Sequence, residues 1–354
     1  MSRWKKYLGR SLYQLDAGLD LVRYRLSERF SNNDIVAFPY ISYGNQERLL
    51  IKGRVLRARS IQPATKDSSF WLNLKNAYKR FDSDEVPYAK VLAHFHEQET
   101  TITADDEGFF ETWLELQTQL DSKHELIQTV DLDLLDLKKA QKQTRFQGIV
   151  MVPDASAQFG IISDLDDTVL QTGAQNILSM LRKVLFGNAY TRLPFDGVAE
   201  FYQALHADKN PIFYVSSSPW NLYDVLLEFF DIQDIPVGPL MLRDWGISAT
   251  EFIPSGHKKH KLELITSILD TYPNLPFILI GDSGQEDPEI YRETVRRYPE
   301  RILAIYIRDV SADAARDQEI RELAKVIRET GCELLLIPDT ANAFEHAKAK
   351  GWIS

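Results

Sequence analysis

The chain has 354 residues, of which 44% are hydrophobic and 26% charged, so it is a globular protein long enough for two domains. Its formal net charge of -10 argues against a general nucleic-acid binder. Cys332 is the only cysteine, which excludes a disulfide within the chain. No apolar run approaches the roughly 20 residues of a membrane-spanning helix, and no secretory signal is recognisable, so we expect a cytoplasmic protein.

Residues 1–30 are predicted to form an amphipathic N-terminal helix. Its apolar stripe recurs at spacings of three and four, at Trp4, Leu8, Leu12, Leu15, Leu19, Val22 and Leu26. The first half of the helix is basic, which would suit peripheral contact with an anionic membrane surface. A helix packed on its own protein is the favoured alternative, because such stripes are usually core.

Residues 31–149 are predicted to form a smaller, β-sandwich-like domain with an insertion around 60–85. Gly108 supplies the permissive backbone of a turn in ADDEGFF. His94 and His96 are expected on one strand face, but without a third ligand nearby a structural role is favoured over a metal site. Alternating runs predict strands at 35–43, 49–56 and 88–97.

From 150 to 354 the pattern changes to apolar runs separated by segments of helix length. Such runs are typical of parallel strands buried on both faces, and the alternation predicts an α/β fold with a doubly wound parallel sheet. Ligands bind such sheets at the carboxyl ends of the strands, so the residues after each run are the site candidates. The runs are QFGIIS, PIFYVS, VGPLML, PFILIG, RILAIYI and CELLLI.

Two carboxylates follow the first run, at Asp164 and Asp166. One can attack phosphorus while the other handles the proton of the leaving group. A calcium loop is excluded, because Val169 and Gln175 stand where it requires glycine and a bidentate glutamate. A simple helix N-cap remains the structural alternative.

Polar groups also follow the second and third runs. The hydroxyl of Ser216 and backbone N–H groups at a helix start would suit a phosphoryl oxygen, although an N-cap with Pro219 in the first turn explains the motif alone. A lysine further on would neutralise phosphoryl charge, with solvated charge as the alternative. Lys258, Lys259 and Lys261 compete for this role, and Lys261 is preferred because it opens a predicted amphipathic helix.

Two further acids follow the fourth run. A carboxylate at the end of a buried strand is costly unless it is paired or metal-bound, so Asp282 and Asp164 together are candidates to hold Mg²⁺. Asp287 could hold a metal-bound water or orient Lys261. A helix cap before Pro288 is an almost equal alternative for Asp287.

Taken in order, DLDDT at 164–168, Ser216, Lys261 and GDSGQED at 281–287 resemble the four signature motifs of the haloacid dehalogenase superfamily. Within it, SDLDDTV, FYVSSSPWNLYD, GPLMLRDWG, FILIGDSGQEDPEIY and IYIRDV are similar to the catalytic domain of actin-patch-type phosphatidate phosphatases. This resemblance covers roughly 150–350. The N-terminal domain resembles that family less specifically, through GRVL and ADDEGFF.

The resemblance implies a magnesium-dependent phosphatase. Asp164 would take the phosphoryl group, and Asp166 would protonate the leaving oxygen and then deprotonate water. Mg²⁺ would be held by Asp164, Asp282 and the backbone carbonyl of Asp166, and Thr168 would brace the nucleophile loop. The predicted residues are therefore catalytic Asp164 and Asp166, phosphate-binding Ser216, Lys261 and Thr168, and metal-binding Asp164, Asp166, Asp282 and Asp287.

The substrate is inferred from the space left for a cap. The 47 residues at 169–215 hold at most a small helical lid, and an open site favours a lipid headgroup or a phosphoprotein. The resemblance implies hydrolysis of phosphatidate to diacylglycerol. Alternatives are a soluble phosphomonoester, or a non-catalytic scaffold with a protein-binding β-domain. Acyl chains could contact apolar residues near the mouth, although a core role is favoured for most of them: Trp220, Leu222, Tyr223, Leu185 and Phe186.

Overall fold

The structure is a computed structural model, and it divides into two compact units, Met1–Ala155 and Ser156–Ser354. The predicted helix at 1–30 and most of the predicted insertion around 60–85 lie outside the described residues. The predicted division of the chain into three parts therefore stays a prediction. The described residues are 34–57, 84–120, 127–135, 144–169, 195–243, 255–311 and 313–353.

The first unit contains two sheets. In one, β3 pairs with β1, β4 and β7, always antiparallel. The other has the order β2-β9-β8-β5-β6 and is antiparallel except for the β2–β9 pair. The strands are β1 Ile35–Pro39, β2 Ser42–Tyr43, β3 Arg48–Arg57, β4 Asp84–Glu85, β5 Lys90–Phe95, β6 Gln98–Thr103, β7 Phe109–Glu115, β8 Ile127–Leu134 and β9 Arg145–Met151.

The two sheets share one hydrophobic core, because alternate residues of each strand face inward. Leu49 and Ile51 of β3 enter this core from one sheet, and Val91 and Val130 enter it from the other. The predicted turn at 104–110 is confirmed between β6 and β7, with Gly108 at φ 80°.

The prediction that His94 and His96 share a strand face is wrong. Strand β5 ends at Phe95, and His96 lies in the following turn at φ 53° with its ring stacked on Phe95. His94 Nδ1 lies 3.1 Å from the Glu99 carboxylate. Neither histidine belongs to a group of potential metal ligands among the described residues.

The second unit contains a parallel sheet, which confirms the predicted α/β class. Its order in the described part of the chain is β12-β11-β10-β13-β14-β15. The strands are β10 Gly160–Ser163, β11 Ile212–Pro219, β12 Leu240–Arg243, β13 Phe277–Asp282, β14 Ile302–Arg308 and β15 Glu333–Ile337. The helices are α1 Val198–His206, α2 Tyr223–Ile232, α3 Ser255–Thr271, α4 Asp287–Arg297, α5 Ala314–Arg328 and α6 Thr340–Ala349, with a 3₁₀ turn at Trp220–Leu222.

The centre of this sheet is where the strand order reverses. The chain runs outward from β10 to β11 and β12 on one side, and β13 lies against β10 on the other. Every residue of β10 and β13 is buried, as their uninterrupted apolar sequences predict. Open α/β sheets bind ligands at the carboxyl ends of the strands at such a reversal, and Asp164 and Asp282 lie at these ends.

Among the residues described, no helix combines the length and apolarity needed to cross a bilayer.

Candidate active site

The loops after β10 and β13 bring buried carboxylates together. Carboxylate oxygens of Asp164, Asp282 and Asp287 all lie within 4.8 Å of one another. Asp164 follows β10, Asp282 ends β13 and Asp287 begins α4. Each is at most 1% exposed, so the burial of these charges must be compensated.

Lys261 provides part of that compensation. Its Nζ donates to Oδ1 of Asp164 at 2.8 Å and also to Oδ1 of Asp287. The expectation that Lys261 opens its helix is wrong, because α3 begins at Ser255 and Lys261 lies in its second turn. The side chain is buried, whereas Lys259 is exposed and pairs at 3.8 Å with Glu263. The contacts therefore select Lys261 over Lys259.

The cluster has one ammonium group for three carboxyl groups, so its full ionisation would leave an excess of negative charge. Burial raises the pKa of Asp164 well above its usual range, and burial together with repulsion from Asp287 raises the pKa of Asp282 to about 8. Burial alone would lower the pKa of Lys261, but Asp164 and Asp287 outweigh it and the net shift is upward. Lys261 therefore stays charged while the carboxylates resist ionising together.

A hard divalent cation fits this donor set. All the donors are carboxylate oxygens, which Mg²⁺ prefers. In the described part of the structure, Oδ2 of Asp164 is buried and has no hydrogen-bond partner. Asp287 is further engaged, since its Oδ2 accepts from the backbone N–H of Asp282 at 3.2 Å. Both predicted roles of Asp287, near a metal and against Lys261, are compatible with this position.

Gly281 permits this arrangement. A Cβ at Gly281 would collide with the carboxylate of Asp287. Any side chain at this strand position would push Asp287 away from Lys261 and from the N–H of Asp282.

Asp166 faces a different environment. Its Oδ2 accepts hydrogen bonds from Oγ of Ser216 at 3.1 Å and from Oγ of Ser218 at 3.2 Å. Among the described residues its carboxylate is outside the group of potential metal ligands. The backbone carbonyl of Asp166 accepts from Nε2 of Gln285 at 3.4 Å, and the same Nε2 lies 3.2 Å from Oδ2 of Asp282.

Ser216 does not lie at a helix start, contrary to the sequence prediction. Strand β11 continues to Pro219, and α2 begins only at Tyr223. The neighbouring β12 changes register between Val215 and Pro219, and the backbone N–H of Ser218 donates to Oγ of Ser216 at 2.9 Å. The serine thus reaches Asp166 from an irregular strand end.

Thr168 lies in the turn after Asp164 and is buried. Its Oγ1 has no hydrogen-bond partner in the described part of the protein. The predicted bracing role of this hydroxyl is therefore not visible as a hydrogen bond and stays a prediction. Asp167, just before it, adopts φ 55° and turns the chain back.

Two residues of the site were not singled out from the sequence, namely Ser218 and Gln285. Ser218 lies two residues after Ser216, on the same face of the strand. The SSSP segment predicts this arrangement only if the strand is expected to continue past Ser216. Trp220, Leu222 and Tyr223 are buried, as their core interpretation predicts. Leu185 and Phe186, with the predicted small lid, lie outside the described residues.

Known proteins resemble the part of the chain that carries these site residues. Residues 159–309 match the family model described as phosphatidate phosphatase APP1, catalytic domain. Residues 159–309 are therefore similar to the catalytic domain of this family. The matched region contains every predicted site residue, and the resemblance to the actin-patch-type phosphatidate phosphatases is confirmed.

Two curated relatives extend the comparison. Phosphatidate phosphatase APP1 of Saccharomyces cerevisiae is 38% identical over 152 residues, which cover 42% of this chain and 25% of that protein. An uncharacterized protein of Schizosaccharomyces pombe is 28% identical over 263 residues, which cover 72% of this chain and 40% of that protein. The matched segments of the chain thus span a quarter to two fifths of the length of these relatives.

Solved structures add no argument. A carbohydrate acetylesterase from Xanthomonas citri aligns over 83% of this chain and 75% of its own, at 12% identity and a TM-score of 0.27. That score is too low to support an inference about fold or function.

Proposed function

We propose that this protein is a magnesium-dependent phosphatase of the haloacid dehalogenase type that hydrolyses phosphatidate to diacylglycerol and phosphate. The observation that carries the proposal is the buried contact of Lys261 with Asp164 inside a carboxylate cluster. It puts a candidate nucleophile, a charge-neutralising cation and metal ligands at one site. The match of residues 159–309 to the APP1 catalytic-domain model supports the substrate class.

The proposed reaction has two steps. A carboxylate oxygen of Asp164 attacks phosphorus, the bond from phosphorus to the leaving oxygen breaks, and Asp166 gives its proton to that oxygen. Asp166 then accepts a proton from water as the water attacks the aspartyl-phosphate, which releases phosphate and restores Asp164. Asp166 lies outside the carboxylate cluster, and its hydrogen bonds with Ser216 and Ser218 hold it in place for both steps.

The remaining residues hold charge in place. Lys261 and the hydroxyl of Ser216 bind phosphoryl oxygens, and Asp287 keeps Lys261 oriented. Asp164, Asp282 and the carbonyl of Asp166 would hold Mg²⁺, with Asp287 close by. When bound, the ion would neutralise phosphoryl charge and orient the ester.

The lipid substrate is the most specific element of the proposed function. The related yeast protein is named for phosphatidate, and the short connection at 169–215 leaves little room for a cap domain over the site. We further propose that the protein is cytoplasmic and that the basic amphipathic helix predicted at 1–30 allows peripheral contact with a membrane.

The test is phosphate release from phosphatidate in mixed micelles with Mg²⁺, alongside a panel of soluble phosphomonoesters and a phosphopeptide. We expect phosphatidate to be preferred, chelation of Mg²⁺ to stop release, and Asp164→Asn to reduce it to background. Asp167→Asn is the matched control, because it makes the same change three residues away, where asparagine tolerates the positive φ.

Each outcome tests a separate part of the proposed function. Release only from soluble esters or the phosphopeptide would retain the mechanism and discard the lipid. Retained activity in a clean preparation of Asp164→Asn would refute the nucleophile. No release from any ester by the wild type would overturn the enzymatic proposal.

A further inference from the structure

The end of β11 places two serine hydroxyls on one carboxylate oxygen. Oγ of Ser216 and Oγ of Ser218 donate to Oδ2 of Asp166 at 3.1 and 3.2 Å. Both serines are at most 3% exposed, so these bonds are shielded from water. Ser217, between them, is more exposed and its side chain alternates to the other side of the strand.

The two serines are not equivalent. Ser216 has one hydroxyl proton, and the proposed mechanism requires that proton for a phosphoryl oxygen. While Ser216 donates to substrate it cannot donate to Asp166. Its acceptor side is held by the backbone N–H of Ser218 at 2.9 Å, which leaves the hydroxyl proton able to turn from one acceptor to the other.

We propose that Ser218 is the positioning residue of the acid–base group, holding the carboxyl of Asp166 in place while Ser216 turns to the phosphoryl group. This inference rests on the proposed function and assigns a role that the four signature motifs leave open. Ser218 makes no contact with the carboxylate cluster among the described hydrogen bonds. The effect of its hydroxyl therefore passes through Asp166, whereas its backbone contact with Ser216 does not depend on the side chain.

The consequence concerns the leaving group. An alkyl leaving oxygen needs the proton of Asp166 as its bond to phosphorus breaks, whereas a nitrophenolate leaves without one. The value of kcat/KM reports the steps through loss of the leaving group, and is not affected by later hydrolysis of the aspartyl-phosphate. A displaced Asp166 must therefore lower kcat/KM for alkyl esters selectively.

The experiment compares kcat/KM of the full-length wild type and Ser218→Ala on p-nitrophenyl phosphate and on a soluble short-chain phosphatidate. We expect Ser218→Ala to lose about ten- to a hundredfold on the alkyl ester, within the usual contribution of general acid catalysis, and less than about threefold on the aryl ester. Inhibition by inorganic phosphate should be unchanged, because Ser216 is intact.

Three further variants separate hydrogen bonding from shape. Ser218→Thr retains the hydroxyl and should recover most of the alkyl activity. Ser218→Cys retains the approximate size of the side chain but offers only a weak donor, so it should not recover the alkyl activity. Ser217→Ala makes the same truncation on the neighbouring residue and should behave as wild type on both esters. Thermal melting of each variant checks that it is folded, and the threonine variant keeps the comparison possible if alanine unfolds the protein.

The outcomes separate the inference from the function. Equal losses on both esters, recovery by cysteine, or weaker phosphate inhibition in Ser218→Ala would each overturn the positioning role while leaving the phosphatase proposal intact. A wild type inactive on both esters would instead remove the proposed function, and with it the role of Ser218.

Discussion

Two groups of side chains at the candidate site, the charged side and the serine side, handle charge in different ways. On one side, buried carboxylates of Asp164, Asp282 and Asp287 share the ammonium group of Lys261. On the other, the single carboxylate of Asp166 is contacted by neutral serine hydroxyls. Changes on the first side should therefore alter the free energy of unfolding and metal binding. Changes on the second should alter mainly proton transfer and phosphate binding.

The largest effect should follow from removing the ammonium group on the charged side. Lys261→Met leaves Asp164 and Asp287 buried without their cation, and losing one partner of a buried ion pair costs about 3–5 kcal/mol. We expect a loss of that size in chemical denaturation without metal. Lys259→Met is the matched control and should change stability by less than about 0.5 kcal/mol, because its pair with Glu263 is exposed.

A double variant tests whether charge is the cause. Adding Asp287→Asn to Lys261→Met removes one of the two orphaned carboxylates, so part of the lost stability should return. A double variant less stable than Lys261→Met alone would show that packing, not uncompensated charge, dominates this side.

The sequence predicted the charged side better than the serine side. Asp164 and Asp282 stand directly after uninterrupted apolar runs, and parallel strands bring such ends together whatever the helices do. The position of Lys261 was harder to predict from the sequence, because α3 begins at Ser255, six residues before the expected start. Ser218 could not be predicted, since its role depends on β11 continuing to Pro219 through a change of register. The error at His96 has the same origin, a strand end misplaced by one residue.

Bound Mg²⁺ should offset the repulsion between the carboxylates of the charged side, and the resulting gain in stability should depend on pH. The pKa of Asp282 is raised to about 8 in the folded protein, chiefly by burial. A raised carboxyl pKa contributes stability that is present below the unfolded pKa, near 4, and is lost as the pH rises through the folded value. The metal-free protein should therefore lose stability as the pH rises from about 4 to about 8.

Since Mg²⁺ binds the ionised carboxylates, its stabilising effect should grow over the same pH range. At a concentration one hundred times Kd it should add about 2.7 kcal/mol. Melting temperatures at pH 6 and pH 9, with Mg²⁺ or with a chelator, measure the difference. Asp282→Asn should abolish most of it, and a metal effect that is larger at pH 6 would contradict this account of the cluster.

A smaller effect should follow from crowding the charged side without changing its charge. The Cβ of Gly281→Ala would meet the Asp287 carboxylate, and we expect a loss of about 1–3 kcal/mol together with weaker Mg²⁺ binding. Gly148→Ala is the control, because the nearest atom to its new Cβ lies 3.6 Å away, at ordinary contact distance. Denaturation and calorimetric Mg²⁺ titration of both variants provide the comparison. Equal behaviour would mean that Asp287 can shift freely.

The smallest effect on stability should come from the serine side. Ser216→Ala removes a hydroxyl that donates to Asp166 and, in the proposed mechanism, to the phosphoryl group. Losing one hydrogen bond to a charged oxygen costs about 1.5–3 kcal/mol of binding, so inhibition by inorganic phosphate should weaken roughly ten- to a hundredfold. The stabilisation by Mg²⁺ should stay at its wild-type value, because Ser216 contacts none of the clustered carboxylates among the described hydrogen bonds. If Ser216→Ala instead reduced Mg²⁺ binding as strongly as Gly281→Ala, the two sides would be one coupled network, and the separation between charge compensation and proton transfer would not hold.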